Sequence, residues 1–586
     1  MKNYKSFSTA YKLTWNLISK EKKLLFFIYI FLTVIISLLE IVAIVSLVNI
    51  MSFVTSSDLP ILPKLQIYFD LDIYSNEKIF YFISYFLMFV ILITTFSKIL
   101  LQYINAKISY GTNYEINKII FNNLTYLNFL NHKKININKV LSNQSKIDDI
   151  TVAVTTNLSA FSSLIIGSLI FVSLLTLDAK IVISSCFIFF LFYLILVKIS
   201  KKKLLENSQG ISESINLKLN ILSLLMGSIR NVILDKMQDH YTKYHSKFDN
   251  VILQSRISNA MIASFPSILF SNLIILVFIT LVLILTLSGE SFIANIPTYS
   301  AVAFGVQKLM PSINHIYIAL TRNSAGFYNI MEVLKFVDTL KSKTKIKRSK
   351  TDSNNKKVIE IKNKIILEKI KFKYANNKLL LNNINLQFKK GDRILIQGKS
   401  GVGKTTLIEI ISGLLKPFSG KLKVDDQIIH ENSLHLYQKN ISIVPQEIFL
   451  AEDSFLNNIV LANPQEKINL EKVKLCSKIA EIDNFINSTK KKYNTIVSYN
   501  GKNLSAGQKQ RIGIARGIYK NSNILIFDES TSAIDEKTET RIFNNIHKFL
   551  KDQIIIFISH NKKNMRYFNK ILILDNGKIK LKKIKV

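Results

Sequence analysis

Long apolar runs in the first half of the 586-residue chain are the feature that most constrains its fold. An α-helix needs about 20 apolar residues to cross a bilayer. The first run is too long for the core of a signal peptide and lacks a small-residue cleavage pattern, which predicts a retained membrane helix. The last run, at about 298–320, is polar and contains Pro311, but a weakly apolar helix can still span a membrane where it lines a watery cavity. Six spans are predicted, at about 24–50, 79–97, 158–177, 181–199, 268–287 and 298–320.

Lysine and arginine counts predict the orientation of these spans. Residues 1–23 carry six lysines, 98–157 carry seven, and 198–261 carry ten Lys plus Arg. The alternate loops are poor in basic residues, with two lysines in 55–78 and none in 288–297. The N-terminus and the second half of the chain are therefore predicted to be cytoplasmic. The two inner connections are each about sixty residues long, so we expect spans two to five to continue as helices into the cytoplasm.

The net charge of +37 invites a nucleic-acid function, but the charge is distributed among the membrane segments instead of being gathered on one domain. We therefore expect no nucleic-acid partner. The two cysteines, Cys186 and Cys476, lie in different halves and suggest neither a disulfide framework nor a zinc site.

The predicted fold class is an all-α six-helix transmembrane domain over residues 1–338, followed by an α/β P-loop ATPase domain with a helical subdomain over 358–586. Residues 339–357 are basic and polar and are interpreted as the linker. GKSGVGKTT follows the apolar strand RILIQ and leads into a helical pattern, which is the strand–loop–helix context of a phosphate-binding loop. Its candidate ATP-binding residues are Gly398, Ser400, Gly401, Gly403, Lys404, Thr405 and Thr406.

Two acidic residues complete this pattern. NILIFDES is an apolar strand that ends in Asp528 and Glu529. The hydroxyl of Thr405 and the carboxylate of Asp528 are candidate Mg²⁺ ligands, and Glu529 is the candidate general base that polarises the attacking water. Together with the P-loop, these residues predict ATP hydrolysis.

Five further segments resemble motifs of ABC transporters, and nearly the whole chain resembles an ABC exporter half-transporter. The segments are KFKY, VPQE, NLSAGQ, SAID and IFISH, in the order that the family has. The resemblance implies ATP and Mg²⁺ as cofactors, with adenine on Tyr374, Gln446 at the Mg²⁺ and attacking water, and a catalytic switch histidine at His560. It further implies that ATP contacts Ser505, Gly507, Gln508 and Asp535.

The sequence departs from the family pattern at two places. Ala506 replaces the first glycine of the usual LSGGQ signature, and it would be strained if the turn required a positive φ there. Tyr499 stands where a glutamate is common, in a loop thought to contact the membrane domain.

The resemblance also implies a partner. Two nucleotide-binding domains meet head to tail, and each ATP lies between one P-loop and the opposite signature. The expected unit is thus a homodimer with twelve spans in a bacterial cytoplasmic membrane, closed by ATP and opened by hydrolysis.

The transported substrate is less well defined by the sequence. SLLEIVAIVSLVNIM in span one and FGVQKLMPSINHI in span six resemble bacterial flippases of undecaprenyl-diphosphate-linked oligosaccharides. Lys308, His315 and Arg322 are seven residues apart, near one stripe of a helix, where they could bind a diphosphate. Alternatively, His315 and Arg322 lie at the cytoplasmic end and snorkel. Glu40 either contacts substrate, pairs with a buried partner or caps a kink.

Other functions are left open. A peptide, toxin, drug or other lipid exporter is the main alternative. A soluble ABC ATPase acting on nucleic acid is disfavoured by the six spans. An ATP-gated channel is disfavoured by the presence of Glu529, which favours turnover.

Overall fold

The computed structural model describes residues 15, 19–56, 76–176, 179–287, 292–344, 359–374, 379–461, 468–559 and 562–583. The chain divides into two compact units. The first comprises residues 1–127 and 131–345, and the second comprises 128–130 and 346–586.

The first unit is helical, as its sequence predicts. Within the described residues, six of its helices are at least 37 residues long and one is short, and a further short helix, Phe129–His132, is divided between the two units at residue 130. In chain order they are α1 (Lys20–Ser56), α2 (Asn76–Thr125), α3 (Phe129–His132), α4 (Ile137–Leu175), α5 (Ala179–Gly227), α6 (Ile229–Leu234), α7 (Gln238–Leu287) and α8 (Phe292–Lys343).

Each predicted span falls on a different long helix. Among the described residues, α1, α2 and α4 are long and apolar enough to cross a membrane by length and composition. The spans at 181–199, 268–287 and 298–320 lie on α5, α7 and α8 and stay predictions. The helices that carry spans two to five have 39 to 50 residues and so extend well past the predicted spans, while their continuation into the cytoplasm stays a prediction. Helix α8 runs to Lys343, so the predicted linker starts as helix, and its residues 345–357 lie outside the described part.

Buried polar contacts join the helices of the first unit. The Tyr29 hydroxyl donates to the Leu158 carbonyl oxygen at 2.9 Å, which connects α1 to α4. The Lys146 side chain is fully buried, and its Nζ lies 2.6 Å from Glu332 Oε2, which connects α4 to α8. Because an unpaired buried charge is very unfavourable, such pairs restrict how these helices can pack against one another.

The second unit contains two sheets. A six-stranded sheet has the order β10-β9-β3-β8-β7-β6, and a four-stranded antiparallel sheet has the order β2-β1-β4-β5. Strands β9, β3, β8, β7 and β6 are parallel, and β10 is antiparallel to β9. The strands are β1 (Lys364–Phe372), β2 (Leu381–Lys389), β3 (Arg393–Gln397), β4 (Ser419–Val424), β5 (Gln427–Ile428), β6 (Ile441–Val444), β7 (Ile524–Asp528), β8 (Ile554–Ile558), β9 (Lys570–Asp575) and β10 (Lys578–Lys583).

The central parallel strands are almost entirely apolar because both faces of this sheet are covered. One core cluster includes Phe527 and Phe557, whose rings stack at a centroid distance of 4.1 Å. The helices of this unit are α9 (Lys404–Ile411), α10 (Leu434–Gln438), α11 (Phe455–Val460), α12 (Leu470–Ile479), α13 (Asp483–Ser488), α14 (Ala506–Tyr519) and α15 (Glu536–Phe549). Helices α11 to α13 lie between β6 and α14 in the chain and supply the predicted helical subdomain.

Candidate functional site

The phosphate-binding loop lies between β3 and α9, in the strand–loop–helix context that the sequence predicts. Gly403 caps α9 with φ +106°, a left-handed conformation that a residue with a Cβ adopts only with strain. A glycine has no side chain to cap the helix, which leaves the first backbone N–H groups of α9 to an anion.

The side chains at the start of α9 differ in exposure. Lys404 is buried, and its Nζ donates to the carbonyl oxygens of Gly398 at 2.7 Å and Lys399 at 3.3 Å. This places the ammonium group over the loop. Thr405 is exposed, and Thr406 is buried. The exposed Thr405 hydroxyl is thus the one of the two threonine oxygens that is open to a metal ion.

The predicted adenine-binding residue lies beside this helix. Tyr374 follows β1, its hydroxyl is 3.1 Å from Thr406 Oγ1, and its ring meets Phe372 edge to face at 5.0 Å. These contacts hold Tyr374 next to the P-loop, whose motif lies about thirty residues further along the chain.

Catalytic candidates meet at the carboxyl ends of adjacent parallel strands. Gln446 follows β6, while Asp528 ends β7 and Glu529 follows it. Gln446 Nε2 donates to Glu529 Oε2 at 3.0 Å, and the Glu529 N–H donates to the Ile558 carbonyl at 3.2 Å. Glu529 has φ +50°, a strained conformation of the kind that clusters at functional sites.

His560 lies outside the described residues. The strand before it, β8, ends at Ile558, which pairs with Asp528. The role of His560 as the switch histidine therefore stays a prediction.

The signature segment forms a capped helix N-terminus. The Ser505 side chain accepts from the Gln508 N–H at 3.2 Å, and the Gln508 side chain accepts from the Ser505 N–H at 2.9 Å. Since capping uses a lone pair of the Ser505 hydroxyl, its proton remains available to a phosphate oxygen. Ala506 is the first residue of α14, and its φ is not positive. The replacement of glycine by Ala506 therefore introduces no backbone strain.

Gly507 is the sterically restricted position of this segment. A Cβ on Gly507 would lie 2.8 Å from the Ala533 carbonyl oxygen, closer than real Cβ atoms come to a backbone oxygen. The signature thus packs directly on the SAID segment.

Gln510 connects the same two segments and was not among the residues singled out from the sequence. Its Nε2 donates to Ser532 Oγ at 3.2 Å, and its Oε1 accepts from the Ala533 N–H at 2.9 Å. The signal that could have found it is a polar residue at a helix position that is otherwise apolar and buried.

Asp535 caps α15 and accepts from the Thr538 N–H at 2.9 Å. This hydrogen bond holds the pKa of the Asp535 carboxyl below its ordinary value, with a smaller contribution from Arg511. Burial lowers the pKa of the Arg511 guanidinium in turn. The ordered SAID segment therefore presents an ionised aspartate beside the signature helix.

The candidate substrate residues of the first unit do not form one group. Lys308 Nζ lies 3.1 Å from Glu40 Oε2, and its ammonium lies over the Phe304 ring at 5.2 Å. His315 Nδ1 is 2.9 Å from Ser163 Oγ. Arg322 is exposed and lies two residues beyond the predicted span at 298–320. Since seven helical residues rise about 10 Å, a single diphosphate cannot contact all three basic residues at once.

Glu40 has a second partner that the sequence reading did not find. Its Oε1 pairs with Lys98 on α2, and only 3% of the Glu40 side chain is exposed. Glu40 is thus a buried carboxylate that pairs with lysines on two other helices, and these lysines are themselves partly exposed.

Fold and site together combine a long-helix unit and an α/β unit with a P-loop on one chain, which is the architecture of ABC exporters. Residues 381–532 match the family model described as ABC transporter. The fold is that of a bacterial Atm1-family ABC exporter solved with ATP bound, with a TM-score of 0.73 and 17% identity over 95% of both chains.

Curated relatives match a smaller part of the chain. The alpha-hemolysin translocation ATP-binding protein of Escherichia coli is 38% identical over 221 residues, which are 38% of this chain and 31% of the relative. The leukotoxin export ATP-binding protein of Aggregatibacter actinomycetemcomitans is 36% identical over 39% of this chain and 33% of the relative. The chloroplastic ABC transporter B family member 29 of Arabidopsis thaliana is 36% identical over 38% and 37%. The matched region thus spans about a third of each relative.

Proposed function

We propose that this chain is an ATP-hydrolysing exporter that works as a homodimer in a bacterial cytoplasmic membrane. Its proposed substrate is amphipathic and anionic, a lipid-linked undecaprenyl-diphosphate oligosaccharide. The observation that carries the ATPase part is the Gln446–Glu529 contact of 3.0 Å at the strand ends beside Asp528. The basic-residue asymmetry of the loops supports a cytoplasmic N-terminus and a cytoplasmic nucleotide-binding unit.

The residues at the P-loop fit Mg²⁺, a cation that prefers oxygen ligands. Thr405 offers an exposed hydroxyl at the start of α9, and Asp528 offers a carboxylate at the end of β7. With the side-chain oxygen of Gln446, these residues would hold the ion. When bound, Mg²⁺ neutralises charge on the β- and γ-phosphate oxygens.

The chain's own residues supply the remaining chemistry. The Gln446 amide donates to Oε2 of Glu529, which orients the carboxylate that takes the proton of the attacking water. The N–H groups at the start of α9 bind the phosphates, and Tyr374 stacks on the adenine. From the second copy, the Ser505 hydroxyl and the N-terminus of α14 face the γ-phosphate and close the site.

Substrate class is supported by the basic residue in the membrane unit. Lys308 is half-buried, lies within a predicted span and shares the single carboxylate of Glu40 with Lys98, so these three side chains carry a net positive charge, which is unfavourable in a span. A diphosphate head group would supply further negative charge. A toxin or peptide exporter is the second candidate, favoured by the names of the matched relatives, two of which are toxin translocation or export proteins.

The test is ATPase activity of the full chain in lipid nanodiscs, with and without an undecaprenyl-diphosphate oligosaccharide. We expect stimulation by the glycolipid and its loss in Glu529→Gln. Lys308→Ala is expected to reduce stimulated activity more than basal activity, whereas Lys341→Ala, an exposed lysine of the same helix, leaves both unchanged. Basal activity without any glycolipid response would instead favour the peptide or toxin exporter, and equal loss of both activities in Lys308→Ala would argue against its substrate role.

A further inference from the structure

The start of α1 is bound to α2 at a level that the sequence does not predict. The Ser19 N–H donates to Glu115 Oε2 at 2.9 Å, and Lys22 Nζ lies 2.7 Å from Glu115 Oε1. Lys22 Nζ also donates to the Gly111 carbonyl oxygen. Because Ser19 and Lys22 immediately precede the first predicted span, residues 111–115 of α2 lie at the level where that span enters the membrane.

A second contact fixes the alignment of the two helices at their other end. Phe53 of α1 stacks on Phe80 of α2, with ring centroids 4.7 Å apart. Between the two contacts each helix runs for about 31 residues, so α1 and α2 lie side by side in antiparallel orientation over about 46 Å. Since α1 is predicted to be in the membrane over 24–50, the α2 span extends to about residue 110 instead of ending at 97.

The residues that this extension adds, 98–110, are compatible with a membrane. Ile99 and Tyr103 are 64% and 61% exposed, as side chains that face lipid would be. The segment has two lysines, of which Lys98 forms an ion pair with a buried carboxylate. Lys107 lies about one helical turn from the new boundary, so its ammonium group can reach the head-group region.

Aromatic and basic side chains are paired at this inner boundary. Trp15 is 41% exposed, and Lys23 Nζ lies 5.5 Å from the centroid of its ring. On α2, Tyr110 and Tyr114 are 69% and 65% exposed, and Lys118 Nζ lies 5.9 Å from the Tyr114 ring centroid. The Lys118 side chain therefore reaches back along α2 towards the membrane. Exposed tryptophan and tyrosine are typical of the head-group level of a bilayer.

We propose that Trp15 with Lys23, and Tyr114 with Lys118, form an interfacial site for the phosphates of anionic phospholipids in the cytoplasmic leaflet. Within the described residues, neither lysine pairs with a carboxylate, and the nearby Glu115 is engaged by Lys22. Both ammonium groups thus complement the negative surface of that leaflet, while the rings lie among the head groups. This inference rests on the membrane location in the proposed function and is independent of the transported substrate.

The depth of the site is measured by tryptophan fluorescence of the full chain in nanodiscs. The chain has one tryptophan, so the emission of the wild type reports on Trp15. Further probes are Ile99→Trp, Tyr114→Trp and Phe121→Trp, each made in a Trp15→Tyr background. The quenchers are phosphatidylcholines brominated either near the head group or near the end of the acyl chains.

The extended span predicts a definite order of depths. Trp15 and Tyr114→Trp are expected to be quenched more by bromine near the head group, and Ile99→Trp more by bromine near the chain ends. Phe121→Trp is the control, because it lies about 10 Å beyond Tyr114 on the cytoplasmic side and is expected to respond to neither lipid.

Other patterns of quenching would contradict the proposal. A span that ends at 97 would leave Ile99→Trp at the head-group level and Tyr114→Trp unquenched, and either result overturns the site. An unquenched Tyr114→Trp with a deep Ile99→Trp overturns it as well, since the tyrosine face would then be covered by protein. Absence of quenching at every position, Ile99→Trp included, would contradict the membrane location of the proposed function.

The choice of lipid tests the lysines. Tyr114→Trp is expected to be quenched more strongly by brominated phosphatidylglycerol than by brominated phosphatidylcholine. Adding Lys118→Gln should lower this preference about 5-fold without changing the depth of the probe. Adding Lys134→Gln instead, which changes an exposed lysine beyond α3, should leave the preference unchanged. Equal quenching by both lipids, or equal preference in the two lysine variants, would overturn the anionic-lipid site.

Discussion

Replacing Gly507 by alanine tests whether the signature helix controls the ATP site through its packing on the SAID segment. The added Cβ would lie 2.8 Å from the Ala533 carbonyl oxygen, whereas ordinary van der Waals contacts of Cβ begin at 3.4 Å. The obstacle is backbone, so a rotamer change cannot relieve the contact. Either α14 or the segment that leads into α15 must move by about half an ångström.

The magnitude follows from this overlap. Overpacking of a close contact costs typically about 1–3 kcal/mol. For a unit of this size, each kcal/mol lowers the melting temperature by about 2–4 °C. The Ala533 N–H also donates a hydrogen bond to the Gln510 side chain, and the same segment carries Asp535. A displacement of this segment that raises the barrier of hydrolysis by about 1.4 kcal/mol slows turnover about 10-fold.

The neighbouring residue provides a matched control. Ala506 is at the first position of α14 with no positive φ, so Ala506→Gly restores the usual family residue without relieving any strain. We expect it to keep ATPase activity within about 2-fold and to lose at most about 1 kcal/mol of helix stability.

The assay is ATPase activity of the full chain in nanodiscs, together with thermal unfolding followed by intrinsic fluorescence. Gly507→Ala is expected to lose activity about 10-fold while remaining folded at the assay temperature. The reasoning is refuted if Gly507→Ala retains wild-type activity and melting temperature, or if Ala506→Gly is the more damaging of the two substitutions.

Three further predictions concern other parts of the chain. Tyr374→Ala should weaken ATP binding about 10-fold through lost stacking, as measured by fluorescent-nucleotide titration. Tyr374→Phe keeps the ring and should bind ATP nearly as the wild type does, whereas equally weak ATP binding in both variants would implicate the hydroxyl instead. Lys146→Met breaks the buried ion pair with Glu332, which typically costs about 3–5 kcal/mol, and should lower the melting temperature. Adding Glu332→Leu should restore most of the lost melting temperature, and a double variant that melts no higher than Lys146→Met would contradict a buried ion pair. Burial raises the pKa of the Cys476 thiol to about 11 from 9.0, so alkylation at pH 8 in a Cys186→Ser background should be about 100-fold slower in the folded protein than in denatured protein. Because the unfolded chain loses the thiol proton at a lower pH than the folded chain, the free energy of unfolding falls between about pH 9 and pH 11. A Cys476→Ser variant that lacks this fall would support Cys476 as its source.

Most of the fold could be predicted from local sequence patterns. Apolar runs predicted the long helices of the first unit, because their length reflects the thickness of a bilayer. The P-loop was recognisable because a phosphate-binding turn needs glycine and lysine at fixed spacing between a strand and a helix, and β3 and α9 flank it as expected. Element boundaries were less predictable. Helix α8 continues to Lys343, since nothing in its last turn breaks a helix.

Contacts between distant residues could not be deduced in this way. Gln446 and Glu529 are 83 positions apart, and their hydrogen bond exists because β6 and β7 are neighbours in the sheet although they are far apart in the chain. Gln510 was missed for a similar reason, because its partners lie 22 and 23 residues away.

The sequence by itself determined the division into a helical membrane-type unit and an α/β nucleotide-binding unit, along with the residue types of the ATP site. These features depend on composition, periodicity and short spacings, which are local. The tertiary structure alone decided that Ala506 is unstrained, that Gly507 has no room for a side chain, and that Glu40 pairs with both Lys98 and Lys308. Those outcomes depend on how separate helices and strands pack, because burial and close approach bring together groups that no local pattern relates.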